Sequence, residues 1–264
     1  MKIGIIGLGV VGTALQNGFE KLGHVIYIHD IKLGTVMSDL VSSEIIYITV
    51  PTPSDEVGNC DTSIVENVIQ SLLNEFNYKG VIAIKSTIAP GTTQKLLELH
   101  NTQNICFIPE FLRERYAVSD FIENHDLCII GTDYESVYRV VKESHGNLPD
   151  KFKQTSPTNA ELCKYFNNAY NATLITFANS FKKICDYYGA PYSDIKNIMT
   201  TRNHIRDIYL ESNEYFKGFA GVCLPKDVQQ LVNIGKKINV NFFEMILAEN
   251  NKHDKIVQKG MRLA

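Results

Sequence analysis

The first twelve residues constrain this chain most. Lys2–Ile6 (KIGII) is a short apolar run of strand-forming residues, and Gly7, Gly9 and Gly12 follow it in the spacing G-x-G-x-x-G. Glycines alone mark tight turns. Here they lie between a predicted strand and a predicted helix, because Val11, Ala14, Leu15, Phe19 and Leu22 recur at helical spacing until Gly23 stops the run as a C-terminal cap does. A second strand-like run, Val25–His29, ends at the acidic Asp30, 18 residues beyond Gly12. This is the βαβ context that gives the motif meaning as a dinucleotide site. Gly7 permits the turn, Gly9 lets a pyrophosphate approach the backbone, Gly12 lets the helix pack on the strand, and the helix N-terminus attracts phosphate. Asp30 is expected to accept hydrogen bonds from the adenosine ribose and to repel a 2′-phosphate. NAD is therefore expected over NADP, with Lys32 weakening that preference slightly. Leu8, Val10 and Val11 complete the expected cofactor loop.

The same alternation continues. Ile45–Val50, Val81–Lys85, Ile105–Ile108 and Leu127–Ile130 read as strands, with helices expected near 62–77, 92–100 and 134–145. The result is a Rossmann-type, doubly wound parallel α/β sheet over residues 1–156. After Pro157 the pattern changes. Thr158 and Glu161 stand in capping-box spacing ahead of Leu162, Phe166, Ala169, Ile175, Phe177, Phe181 and Ile184, a helix of about thirty residues ending at Gly189. Further helices are expected over 192–211, 225–237 and 241–259, making 157–264 an all-helical domain with one long helix.

Composition limits the partners. A chain of 264 residues exceeds the roughly 100–200 of one domain, which suits two domains. Lys and Arg number 26 against 29 Asp and Glu, and no block of either sign favours nucleic acid or an anionic membrane, so a small molecule is the expected ligand. No run approaches the ~18–20 apolar residues of a membrane span, and the glycine-broken first run has no cleavage site after it. A soluble, cytoplasmic protein is expected. Cys60, Cys106, Cys128, Cys163, Cys185 and Cys223 form no C-x-x-C pair and no Cys/His metal spacing, which suits reduced thiols and no metal.

Three polar clusters follow predicted strands: Val50-Pro51-Thr52-Pro53, Ser86-Thr87, and Pro109-Glu110-Phe111-Leu112-Arg113-Glu114. Each alone reads as loop punctuation. All three, however, fall on the carboxyl edge of the sheet, where ligands bind in such folds. On the long helix Glu161, Lys164 and Asn168 share a face, and a Lys and an Asn four apart suit an oxygen gaining negative charge; a solvated stripe is the alternative. Residues 218–227, GFAGVCLPKD, place Cys223 just before a helix that Pro225 opens. The helix N-terminus and Lys226 favour a thiolate there, and the small residues leave room for a substrate, against the alternative of a buried structural cysteine. Asp227, one turn in, suits orienting water or taking a proton.

Taken together, GLGVVG (7–12), VPTP (50–53), K-S-T-x-x-P-G-T-T (85–93), PEFLRE (109–114), A-E-x-x-K-x-x-x-N (160–168) and GFAGVCLPKD (218–227) resemble the nucleotide-sugar 6-dehydrogenases, which include the UDP-glucose and GDP-mannose enzymes. The resemblance runs in order over nearly the whole chain. It implies oxidation of a sugar C6 alcohol to the acid with two NAD reduced, through a thiohemiacetal and then a thioester on Cys223. It assigns Thr87 and Glu110 to proton removal through water, Glu114 to the nicotinamide and the hydrolytic step, Lys164 and Asn168 to the oxyanion, and Asp227 to support of Cys223. It further implies cofactor contacts at Val50, Pro51, Thr52, Ser86, Thr87 and Glu114. Substrate contacts are implied at Phe111, Leu112, Arg113, Lys164, Asn168, Arg202, Phe219, Gly221 and Cys223, and a homodimer through the long helix.

Two departures stand out. Ala220 occupies the place of a second glycine. The family's third, C-terminal α/β domain, which closes over the nucleotide, has no counterpart before Ala264, so weak nucleotide binding is expected unless another subunit or protein covers the cleft. Two alternatives share the layout: a 3-hydroxyacid or 6-phosphogluconate type dehydrogenase, which needs no cysteine, and a catalytically inactive NAD-binding protein.

Overall fold

The computed structural model describes residues 1–215 and 217–253. Seven strands form one sheet: β1 (Lys2–Ile6), β2 (Val25–His29), β3 (Ile45–Ile48), β4 (Val81–Ile84), β5 (Ile105–Phe107), β6 (Cys128–Gly131) and β7 (Phe152–Thr155), in the order β2-β1-β3-β4-β5-β6-β7. The first five run parallel. β6 pairs antiparallel with β5 and parallel with β7, so the expected parallel sheet is reversed at one edge. The edge strand β7 has no counterpart among the predicted strands. Its sequence, FKQT, leaves Lys153 and Gln154 exposed, and so lacks the apolar run by which a buried strand announces itself.

Successive strand residues point to opposite faces, and each face has its own core. Ile3, Ile5, Tyr47, Ala83, Cys106 and Ile130 pack beneath α1 (Val10–Lys21), α4 (Ala117–Ile122) and α5 (Glu135–His145) through Leu15, Phe19, Phe121 and Val141. Ile46, Ile48, Ile82, Ile84 and Phe107 pack against α2 (Ser63–Gln70, continued by a π turn to Glu75) and α3 (Thr92–Leu99) through Val65, Ile69, Leu72 and Leu96. Helix α4 went unread in the sequence because its six residues are too few for periodicity.

The long helix α6 runs Pro157–Tyr187, 31 residues. Its start differs from the expected capping box. Ser156 Oγ accepts from the Asn159 N–H at 3.4 Å with Pro157 as the first helical residue, while the buried Glu161 accepts from the backbone N–H groups of Gly91 and Thr93 at the start of α3. A carboxylate there satisfies donors that the first turn of a helix leaves over. Burial pushes its pKa up, against these hydrogen bonds. Glu161 therefore anchors α6 to the sheet domain rather than facing a ligand beside Lys164.

By contacts the chain divides into two compact units, Met1–Asp55 with Cys60–Lys164, and Glu56–Asn59 with Tyr165 onward. This contact division falls inside α6, because Ala160, Glu161 and Lys164 all engage the first unit. In the second unit α7 spans only Tyr192–Met199. Thr200 and Thr201 turn their hydroxyls back onto the carbonyls of Asn197 and Ile198, and such bonds compete with helix continuation. Residues 200–215 and 217–222 are irregular, tied by Lys196 to Asp207 and Glu211 and by the Tyr192 hydroxyl to the Leu210 carbonyl. Then follow α8 (Cys223–Ile238) and α9 (Phe242–Asn250); the expected extension of the last helix to 259 lies mostly outside the described residues. No helix among the described residues is long and apolar enough to cross a membrane.

Candidate active site

The glycine loop is built for close approach. A Cβ on Gly12 would stand 2.1 Å from the Gly7 carbonyl oxygen and 2.9 Å from Thr49 Oγ1, and Gly7 has φ +94° with Thr49 O 2.8 Å from where its Cβ would be. A Cβ on Gly9 would meet nothing within 4 Å. Two of the three glycines are thus forced by the fold, and the third leaves open space at the N-cap of α1, the end of a helix that attracts phosphate. The side chains of Val10 and Val11 pack into the core, so these residues offer backbone to a ligand. Asp30 accepts from the Leu8 N–H at 2.6 Å and from the Lys32 N–H at 2.8 Å. Those two backbone donors hold its carboxyl below the usual range. The acidic residue is therefore ionised and fixed against the glycine loop, as a partner for ribose hydroxyls requires.

At the ends of β3 and β4, Ser86 Oγ donates to the Val50 carbonyl at 2.8 Å and Thr52 is buried, while Pro51 is exposed. The Ser86 hydroxyl thus ties two strand ends together. Thr87 is half-buried, and its carbonyl accepts from the Cys60 thiol at 3.2 Å.

After β5, Glu110 meets Lys164. The ammonium donates to Glu110 Oε1 at 2.9 Å and to the Glu110 carbonyl at 2.7 Å, and Oε2 accepts from the Leu112 N–H at 2.8 Å. The side chains are 11% and 5% exposed. Burial alone would raise the pKa of Glu110; the charge and hydrogen bond of Lys164, the Leu112 N–H and the charge of Lys85 together outweigh it, and the carboxyl ends below its ordinary value. Lys85 drew no role from the sequence although it belongs to the K-S-T motif. It is almost fully buried, and that burial pushes its own pKa down. A lysine closing the apolar run VIAIK was the available signal. Phe111 and Leu112 pack against the two cores, Glu114 is half-buried at the start of a single 3-10 turn, and Arg113 is clamped by Asp120 at 2.6 and 2.9 Å. Arg113 is thus committed within its own loop.

In the second unit Asn168 Nδ2 donates to Asp227 Oδ2 at 2.6 Å, with both side chains buried. The Lys226 ammonium lies 3.9 Å from Asp227 Oδ1. Cys223 is exposed and is the first residue of α8, which begins two residues earlier than the sequence suggested; Pro225 is third, still in the turn where no N–H is missed. Gly218 and Gly221 take φ +62° and +83° on the approach. Phe219 does not present its ring to a ligand: the ring is buried with Ala172 and Val228. Arg202 lies exposed in the irregular segment after α7.

The NAD binding domain of the UDP-glucose/GDP-mannose dehydrogenase family matches residues 32–148, and the central domain of the same family matches residues 158–252. The first match begins beyond the glycine loop, for which the steric argument above stands by itself. The chain is similar to the putative UDP-glucose 6-dehydrogenase YtcA of Bacillus subtilis, 30% identical over 92% of this chain and 65% of that protein. It is also similar to a UDP-glucose 6-dehydrogenase of Rickettsia prowazekii, 29% identical over 88% and 55%. It thus spans between about half and two thirds of the length of these relatives. Among solved structures, a UDP-glucose dehydrogenase from Pyrobaculum islandicum shares the fold with a TM-score of 0.85 at 23% identity, over 95% of this chain and 68% of that one.

Proposed function

Because this chain belongs to the UDP-glucose/GDP-mannose dehydrogenase family, we propose that it oxidises the C6 alcohol of a nucleotide sugar, UDP-glucose foremost, to the acid, with Cys223 as covalent nucleophile. One observation carries the reading: of six cysteines, Cys223 alone is exposed, and it stands on the first turn of a helix behind a glycine-flanked approach. An exposed thiol at a helix N-terminus is the setting that favours thiolate.

The chemistry balances as follows. The alcohol loses a hydride and a proton and becomes an aldehyde. The Cys223 thiolate adds to the aldehyde carbon while the aldehyde oxygen takes a proton, and the thiohemiacetal then loses a second hydride and a proton to become a thioester. Water attacks the thioester carbon, the C–S bond breaks, and the acid, the thiolate and one proton are released. Bound NAD supplies the acceptor for each hydride. Covalent capture divides one hard oxidation into two easier ones and keeps the aldehyde from escaping. Glu110, held ionised, takes protons through water with Thr87. Lys164 and Asn168 offer N–H donors to the oxygen that gains charge, Asp227 supports Cys223 and the attacking water, and Glu114 serves the nicotinamide side. Val50, Pro51 and Thr52 border the cofactor. Phe111, Leu112, Gly221 and Arg202 border the sugar. The protein acts in the cytoplasm as a homodimer through α6, which exposes Phe166, Tyr170, Phe177 and Ile184 along its length.

Incubation with UDP-glucose and NAD tests this. Two NADH per substrate and a sugar adduct on residue 223 in the Cys223→Ser variant are expected. One NADH per substrate, or full turnover by Cys223→Ser, would sink the covalent route.

A further inference from the structure

We propose that Asn250, at the end of α9, is the positioning residue that fixes the loop delivering Cys223; its bearing on turnover rests on the nucleophile reading above. Asn250 is fully buried. Its side-chain carbonyl accepts from the Phe219 N–H at 2.7 Å and its amide donates to the Phe219 carbonyl at 3.0 Å. One side chain thus makes with Phe219 the two-bond exchange that a facing residue makes in an antiparallel strand pair.

The placement is specific. Phe243, Ile246 and Leu247 form the apolar stripe by which α9 packs on Phe219, Val228 and Leu224, and Asn250 continues that stripe at i+7, i+4 and i+3 from them. An amide in an apolar stripe is costly unless its hydrogen bonds are made, and here they are made to the backbone of one loop residue. The loop is shaped to receive it. A Cβ on Gly218 would lie 2.8 Å from Asn250 Oδ1, and Gly218 already has φ +62°.

Only Ala220, Gly221 and Val222 separate Phe219 from Cys223, and Leu224 on the far side is held in the same apolar cluster. The sulfur-bearing residue is therefore pinned from both sides, by Asn250 through Phe219 and by the core through Leu224. Between these two anchors the chain passes through Gly221, at φ +83°. Loss of the Asn250 pair releases the upstream side and lets the start of α8 fray, which takes Cys223 out of the first helical turn.

The test is thiol alkylation, which needs no turnover. Asn250→Leu keeps the volume and removes both bonds; Asn250→Asp keeps the acceptor and loses the donor. Iodoacetamide labelling of the Cys223 peptide is followed by mass spectrometry from pH 6 to 10. In both variants the labelling midpoint is expected to move up toward an ordinary thiol, ~8.5, with the rate at pH 7 falling about tenfold per unit moved. Val228→Ala weakens the same core and is expected to lower the melting temperature without moving the midpoint. NADH formation is expected to lose kcat while KM for NAD holds. A folded Asn250 variant with the parental labelling profile, or an equal shift in Val228→Ala, overturns the proposal. If Asn250→Leu fails to fold, the Asn250→Asp profile decides. Normal turnover by Cys223→Ser would remove the nucleophile reading and leave the labelling result standing, so the two failures are distinguishable.

Discussion

Replacing Lys164 with methionine asks what holds the charge of Glu110. The stem stays and the ammonium goes, leaving a carboxylate 11% exposed with the Leu112 N–H and the charge of Lys85 as its remaining support. Removing one member of a buried pair typically costs about 3–5 kcal/mol when the other stays charged. Glu110 can escape by taking a proton, which limits the loss. In the native protein its pKa lies below the ordinary 4.5, so the pair stabilises the fold above that pH and the gain is lost as pH falls through the depressed value. In Lys164→Met the sign reverses. The folded pKa rises above 4.5, so the penalty is absent below that value and grows as pH rises toward the new folded pKa. At pH 7 the ceiling is two and a half units at 1.36 kcal/mol each, or about 3.4 kcal/mol. Urea midpoints by circular dichroism at pH 5, 6, 7 and 8 measure it. The deficit is expected to grow between pH 5 and pH 7 by up to about 2.7 kcal/mol, two units at 1.36 each, on top of the native pair's own stabilisation, which is lost at both pH values. Lys164→Met/Glu110→Gln is expected to lose the pH dependence. A deficit equal at all four pH values, or a double variant as pH-sensitive as the single one, would refute the reasoning.

Gly12→Ala places a methyl 2.1 Å from the Gly7 carbonyl oxygen, so α1 must lift from the sheet at about 1–3 kcal/mol; calorimetry should show NAD affinity down at least tenfold, on the order of 1.4 kcal/mol, and unchanged affinity would contradict the glycine-loop reading. His125 and His145 are both held neutral by burial, His125 with its pKa lowered to about 4. The unfolded chain therefore binds more protons as pH falls below 6.5, and melting temperature should drop between pH 6.5 and 4, a slope that His125→Phe should flatten. Phe166→Glu with Phe177→Glu puts charges on side chains 75% and 55% exposed along α6. Light scattering should show the parent as a dimer and the double variant as a monomer, and a monomeric parent would end the dimer proposal.

Legibility followed the range of the rule applied. The G-x-G-x-x-G loop was readable because its steric demands act over a few residues and one neighbouring strand: Gly7, Gly12 and Thr49 crowd one another whatever the rest of the chain does. β1, β3, β4, β5 and β6 were readable because burial on both faces leaves no polar alternation, and the half-buried edge strand β2 because its residues are strand formers up to His29. β7 was not, since half of it faces solvent, and neither was the early end of α7, which depends on where two threonine hydroxyls turn. The antiparallel edge is a property of the connection through α4 and leaves no mark on β6 itself.

The site divides the same way. Spacing correctly placed Lys164 and Asn168 one turn apart on a long helix, yet it gave no means of naming their acceptors, which lie 54 and 59 residues away. Each donor is committed to a carboxylate, Lys164 to Glu110 and Asn168 to Asp227. That commitment changes the chemistry assigned to the pair. A buried ammonium without a counter-ion would lose its proton, and a buried carboxylate without a donor would gain one. Paired, both groups keep their charges while the site waits for a ligand. On the function proposed above, a substrate oxygen gaining negative charge would have to draw N–H groups that carboxylates already hold. Such an oxygen competes only once its own charge has developed, so these donors stabilise it more in the transition state than in the bound alcohol, which is the condition for a donor to raise kcat rather than affinity alone.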